Sequence, residues 1–188
     1  MEKTTVEDVP AQPRRLSPAV ILVAFAVLIG FLALIAWGLN RSMRGPITVG
    51  DKVPNIQMVS FDGKPINTSD YAGKVVVLNF WASWCKPCEQ EAAALETAYQ
   101  SFKPSGDVVF IGLAYVDTEP NSLGYLQKFG ITYPNGPDLR TSVSQMFRIR
   151  GVPETYIIDP NGKLAYAQIG PFDSSDQIVS IVQKYIHK

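Results

Sequence analysis

The sequence predicts an α/β domain, a mixed central sheet flanked by helices, carried behind one membrane-spanning helix. Three observations carry that expectation. Residues 74–81 (KVVVLNFW) form an unbroken apolar, β-branched run, the pattern of a central strand buried on both faces. After residue 49 the segments follow one another as strand, helix, strand, helix, then strand, strand, helix, an order that places helices on both faces of a mixed sheet. Residues 19–39 (AVILVAFAVLIGFLALIAWGL) contain no charge.

Residues 1–18, with three prolines and mixed charges, read as a disordered tail. As a helix, residues 19–39 would span about 31 Å, the thickness of a bilayer's hydrocarbon core. Arg14 and Arg15 flank one end, Arg41 and Arg44 the other, and Trp37 stands at an interfacial position. Ala36-Trp37-Gly38 offers a small-x-small cleavage site. The run nevertheless exceeds the core of a secretory signal, so an uncleaved anchor is expected. Residues 40–48 form a tether and residues 49–188 the domain. Lys3 tips the cationic balance toward an inside N-terminus, and a lone dithiol suits the extracytoplasmic side, where soluble thiol pools do not clamp it.

Within the domain, residues 55–66 with Asp62-Gly63 at the turn read as a hairpin. The strand at 74–81 leads into Cys85 and a helix over 89–102, with Pro87 tolerated in the first turn. Lys103-Pro104-Ser105-Gly106 stops that helix. Residues 108–116 read as a second buried strand, 121–129 as a helix ended by Gly130, and 141–147 as a short helix. Residues 155–158 and 163–169 pair across Pro160-Asn161-Gly162. Residues 174–187 close the chain as a helix with Ile178, Ile181, Val182, Tyr185 and Ile186 on one stripe.

Composition narrows the function. The 188 residues carry 17 Lys and Arg against 17 Asp and Glu. After residue 45 the balance is 12 to 14, with no basic stripe for nucleic acid. Two cysteines make at most half a zinc site, and one histidine, His187, near the end of the chain, supplies no second half. No metal or other cofactor is expected.

Both cysteines lie in Trp84-Cys85-Lys86-Pro87-Cys88. On a helix that spacing brings the sulfurs to one face, one turn apart, within reach of a disulfide. Cys85 ends a buried strand and opens a helix, where unpaired N–H groups and the positive end of the dipole favour a thiolate. Lys86 adds a cation of the same sense. Cys88, one turn inside, is expected to be more buried and suited to resolve a mixed disulfide. So short a link closes too little chain to act as a structural staple.

The run Trp81-Ala82-Ser83-Trp84-Cys85-Lys86-Pro87-Cys88, following a Val/Leu/Phe strand, resembles the thioredoxin superfamily, and Gly151-Val152-Pro153 resembles that fold's cis-proline loop. The resemblance, over about residues 49–187, implies a thioredoxin-like fold in which the backbone of Val152 pairs with a bound peptide. Three details resemble the membrane-anchored TlpA/ResA/CcmG (DsbE) branch. Glu91 stands three residues after Cys88, Glu154 follows Pro153 directly, and residues 117–137 lie where that branch carries an insertion with an extra helix and an extended piece. Asn79 occupies the strand position of thioredoxin's buried aspartate, so proton handling must lie elsewhere. The resemblance favours Glu91 and Glu154 for that work, since a carboxylate near a dithiol disfavours the thiolate and, desolvated, titrates near neutrality. Left to composition alone, both would read as exposed glutamates. Trp81, Trp84, Phe80 and Tyr156 could line the site; Phe80 and Tyr156 read better as core, and Trp84 as substrate-facing.

The expected function is thiol–disulfide exchange, mainly as a reductant. By resemblance the client is an apocytochrome c and the electron donor a membrane thiol transporter of the CcdA/DsbD kind. Reduction of copper-site cysteines, or copper binding itself, is one alternative, although copper sites usually add His or Met to the cysteines. A peroxiredoxin-like peroxidase is another, but Phe80-Trp81-Ala82-Ser83-Trp84 before Cys85 lacks the neighbours of that chemistry.

Overall fold

The computed structural model describes residues 17–42 and 46–186. They fall into two units, one before residue 46 and one after it. In the first, Pro18–Ser42 forms a single helix, α1. Its stretch from Pro18 to Gly38 is long and apolar enough to cross a membrane, and the described side chains from Val20 to Trp37 are exposed. Most of the expected tail (residues 1–16), residues 43–45 of the tether and His187 lie outside the described residues.

The second unit is built on β3 (Val75–Trp81), every residue of which is buried. β3 pairs in parallel with β4 (Val108–Ala114) and antiparallel with β6 (Glu154–Ile158). β5 (Asn135–Pro137) adds to β4 in parallel, and β7 (Leu164–Ile169) to β6 antiparallel. The sheet therefore runs β5-β4-β3-β6-β7. β1 (Gln57–Val59) and β2 (Pro65–Asn67) form the separate hairpin expected from Asp62-Gly63.

The period-two alternation of a strand explains why 74–81 is apolar throughout. Val75 and Val77 pack against α2 (Lys86–Phe102) and α5 (Ser175–Gln183) through Leu95, Ala98, Phe102, Ile178 and Val182. Val76, Leu78 and Phe80 point the other way, into a core shared with Ile56, Ile66 and α4 (Ser142–Phe147). α3 (Glu119–Phe129) joins a third cluster, with Trp81 and both cysteines, through Tyr125. The expected mixed sheet between helices is what forms.

Boundaries moved where side chains or backbone signs overrode periodicity. α2 is the exception: it starts at Lys86 with Cys85 as its N-cap and Pro87 in its first turn, as expected. β4 stops at Ala114, since Val116 has a φ of 45°, a left-handed conformation rare for a β-branched residue. α4 starts after Thr141, where the buried Asp138 carboxylate accepts from the N–H groups of Val143 and Ser144 (2.9 and 2.8 Å). α5 ends at Gln183, short of the expected stripe. β5, three residues containing Gly and Pro, has no strand signature of its own; its backbone pairing with β4 makes it one.

β5 also locks the sheet beneath the cysteines. Asn135 accepts from Trp81 Nε1 (2.8 Å) and donates to the Tyr133 carbonyl (2.8 Å). A Cβ on Gly112 would lie 1.7 Å from Asn135 Oδ1 and 2.9 Å from Trp81 Nε1. Because Asn135 is held at both ends, it cannot swing away without breaking a buried bond. Gly112→Ala is expected to destabilise the domain by about 1–3 kcal/mol, read as a lower urea midpoint; an unchanged midpoint would show that this packing yields freely.

Candidate active site

Cys85 has extended backbone angles (φ −89°, ψ 106°) and is the N-cap of α2, with Pro87 in the first turn. Its Sγ accepts from the Cys88 N–H at 3.2 Å, a capping contact that aims an unsatisfied helix donor at the sulfur. Cys85 and Cys88 form a disulfide with a Cα–Cα distance of 5.3 Å. Cys85 is 4% exposed and Cys88 1%, the order expected for an outer and an inner sulfur. The loop 150–153 closes over the pair. The Val152–Pro153 bond is cis, and the Val152 carbonyl oxygen lies 3.4 Å from Cys85 Sγ. Two motifs far apart in the chain, these two residues being 67 positions apart, thus meet at one sulfur.

The four aromatics do not form a common platform. Trp84 is 59% exposed, its indole donating to the Val116 carbonyl (3.1 Å). Trp81 is turned inward and stacked on Tyr125 with centroids 4.4 Å apart. Phe80 and Tyr156 pack edge-to-face on the opposite side of the sheet, in the core with Phe147. Only Trp84 among them faces solvent. Lys86 does not act alone, because it pairs with Glu89 (3.0 Å), which also binds Lys128 (3.1 Å).

Neither glutamate is the exposed residue that composition alone suggests. Glu91, one turn beyond Cys88, is 1% exposed. Its Oε1 accepts from Asn79 Nδ2 (2.9 Å) and its Oε2 from the Phe172 N–H (2.9 Å). Asn79 also donates to Thr155 Oγ1 (2.9 Å). Burial raises the Glu91 carboxyl to about 7, against the opposing pull of the Phe172 and Asn79 bonds. Glu154 is buried at the start of β6. Its Oε1 accepts from the N–H groups of Arg150 (2.7 Å) and Gly151 (3.3 Å), and its Oε2 from the Tyr156 hydroxyl. Glu154 is thus bonded to the loop that carries Val152, while Glu91 is bonded to the sheet and to the chain entering α5.

Four contributors carry no sequence signal. Tyr125, on α3, donates its hydroxyl to the Cys88 carbonyl (2.8 Å). Asp117 accepts from Ser83 N–H (2.7 Å) and Ser83 Oγ (2.9 Å). Asn135 and Thr155 hold Trp81 and Asn79. Each acts across 34 to 76 residues of chain, beyond the reach of any local pattern. A cleft of about 310 Å³ lined by Lys52, Tyr71, Ile158 and Pro160 lies at the opposite, N-terminal end of β3 and takes no part in this site.

A redox-active dithiol at a helix start, against a cis-proline loop on a β-α-β-α-β-β-α scaffold, defines a thioredoxin-like thiol–disulfide oxidoreductase. Residues 49–167 match the AhpC/TSA family, and the chain belongs to that family. It is 31% identical over 136 residues to a thiol-disulfide oxidoreductase ResA of Bacillus cereus, covering 72% of this chain and 78% of that one. A thioredoxin-family thiol:disulfide interchange protein from Chlorobium tepidum TLS superposes with a TM-score of 0.64 at 26% identity, over 76% of this chain and 97% of that one. A secreted Mycobacterium tuberculosis disulfide oxidoreductase homologous to E. coli DsbE shares the fold (TM-score 0.62, 20% identity, 69% and 95% covered).

The Glu91 environment sets a pH dependence. Its folded-state value of about 7 lies above the ordinary 4.5, so the folded protein holds a proton that the unfolded chain releases between those values. The stabilisation is full below pH 4.5 and is lost as pH rises through 7, by roughly 3 kcal/mol. Urea unfolding of the oxidised protein is expected to show that loss, and Glu91→Gln to abolish it. Parallel stability–pH curves for the two proteins would contradict the assignment.

Proposed function

We propose that this chain is a membrane-anchored reductant of protein disulfides on the extracytoplasmic side of the bacterial cytoplasmic membrane, and that its client is an apocytochrome c awaiting haem ligation. The observation that carries the reading is the position of Cys85 Sγ, at the α2 N-cap and 3.4 Å from the Val152 carbonyl. A peptide laid along that loop would bring its own sulfur to the outer cysteine. The 25-residue helix α1 supports the anchor. We assign residues 1–18 to the cytoplasm, 19–39 to the membrane, 40–48 to a tether and 49–188 to the exchange domain.

In the reducing cycle the Cys85 thiolate attacks one sulfur of the client disulfide. A Cys85–client bond forms, the client S–S bond breaks, and the second client sulfur leaves as a thiolate. The Cys88 thiolate then attacks Cys85 Sγ, forming the observed disulfide and expelling the first client sulfur. The client gains two electrons and two protons; the dithiol loses both. Glu91, buried one turn along α2 from the inner cysteine and raised to about 7, is suited to accept and return the Cys88 proton. Glu154 holds the Val152–Pro153 loop in place through Arg150 and Gly151, and Trp84 and Val152 meet the client. A membrane thiol transporter of the CcdA/DsbD kind would re-reduce the disulfide.

Cys88→Ala removes the second step and should trap the client on Cys85. The expected result is a mixed disulfide that stays with the membrane after alkaline washing and contains a Cys-x-x-Cys-His protein. Recovery of copper-site proteins instead would redirect the client assignment to oxidase assembly. Peroxide consumption by the intact dithiol at a rate matching disulfide exchange would replace the reductase reading with a peroxidase.

A further inference from the structure

Residues 115–137 grip the turn that bears the cysteines. Asp117 holds Ser83, the Val116 carbonyl holds the Trp84 indole, Asn135 holds the Trp81 indole, and Lys128 pairs with Glu89. Each of these fixes a neighbour of the dithiol. Tyr125 differs, because its hydroxyl bonds the backbone of a reacting residue, donating to the Cys88 carbonyl at 2.8 Å. The ring is 6% exposed, stacked on Trp81 and set against Phe129 with centroids 4.7 Å apart. Burial and the charges of Glu91 and Glu89 push the phenol upward from its ordinary value, so it stays a donor throughout the working pH range.

A helical carbonyl has a second lone pair beyond the one its own helix uses, so this bond adds to the α2 ladder. It matters most in the second step of exchange. Before it, Cys85 is linked to the client and Cys88 carries a free thiol, without the disulfide that otherwise ties it to Cys85. The Cys88 thiolate must then reach Cys85 Sγ along the axis of the bond it will break, and a loosened helix start would spread its positions. We propose that Tyr125 is a positioning residue for the resolving step. Its hydroxyl anchors the Cys88 backbone to α3, keeping the inner sulfur aimed at Cys85 while the client sulfur departs. The proposal rests on Cys85 attacking and Cys88 resolving.

The test follows both steps in the reduced full-length chain in detergent. The protein is mixed rapidly with a disulfide-linked peptide and quenched in acid. Mass spectrometry then separates free dithiol, Cys85–peptide adduct and Cys85–Cys88 disulfide. Tyr125→Phe is expected to leave adduct formation unchanged and to slow resolution by about 2- to 10-fold, the size of one hydrogen bond, so that adduct accumulates. Phe129→Leu, which loosens the ring's packing but keeps the hydroxyl, is expected to lower Tm without shifting the partition. The proposal is overturned by an unchanged resolution rate in Tyr125→Phe, by equal slowing of both steps, or by accumulation in Phe129→Leu. A Tyr125→Phe chain too unstable to assay also overturns it, since the bond would then support the fold at large. An adduct on Cys88 in the parent protein overturns the underlying assignment of attacking and resolving sulfurs instead.

Discussion

A carboxylate taken out of water must be neutralised or fully hydrogen-bonded, and that requirement at Glu91 organises the active unit. Its two oxygens find donors in β3, through Asn79, and in the chain entering α5, through the Phe172 N–H. Asn79 in turn reaches β6 through Thr155. One buried acid thereby fixes the register of α2 against three elements far apart in sequence. Since Cys85 and Cys88 occupy the first turn of the same helix, the register that satisfies Glu91 also sets where the sulfurs emerge. A shift of α2 by one residue would leave a buried carboxylate without partners, which is costlier than most single packing defects.

The same arrangement makes the two sulfurs unequal. Cys85, as N-cap, meets the Cys88 N–H and the positive end of the helix, an interaction of about 0.3–1 kcal/mol at exposed sites and up to about 2 in buried ones. Cys88 lies one turn before the acid on α2, and both are buried. Below about pH 7 Glu91 is neutral and opposes neither thiolate; above it, the carboxylate resists a second negative charge nearby. Lys86 contributes less than its position in the motif suggests, because Glu89 pairs with it in solvent. The asymmetry that exchange chemistry needs therefore comes from backbone geometry and burial more than from surface charge.

Much of this was legible in the chain. The apolar run at 74–81, the turn at Asp62-Gly63, the stop at Lys103–Gly106 and the dithiol at a strand-to-helix junction each carry a local signature, and each forms. Resemblance pointed to Glu91 and Glu154, where composition favoured exposed residues; their burial follows from partners that local pattern does not reveal. The extended piece at Asn135–Pro137 was anticipated by resemblance alone, because its own propensity is poor and only its pairing with β4 makes it a strand. Val116 ended β4 early through a backbone sign that no side-chain pattern encodes. Tyr125 carries no local signal, since its hydroxyl bonds a carbonyl 37 residues away.

The central claim is that Cys85 is the reactive sulfur and that the buried Glu91 governs the protons beside it. Alkylation of the reduced protein with iodoacetamide, mapped by mass spectrometry across the pH range from acid to alkaline in the parent and in Glu91→Gln, tests both halves together. The account expects Cys85 to be modified first at every pH, with its titration midpoint displaced to lower pH in Glu91→Gln. Modification of Cys88 ahead of Cys85, or identical titration curves in the two proteins, would contradict it.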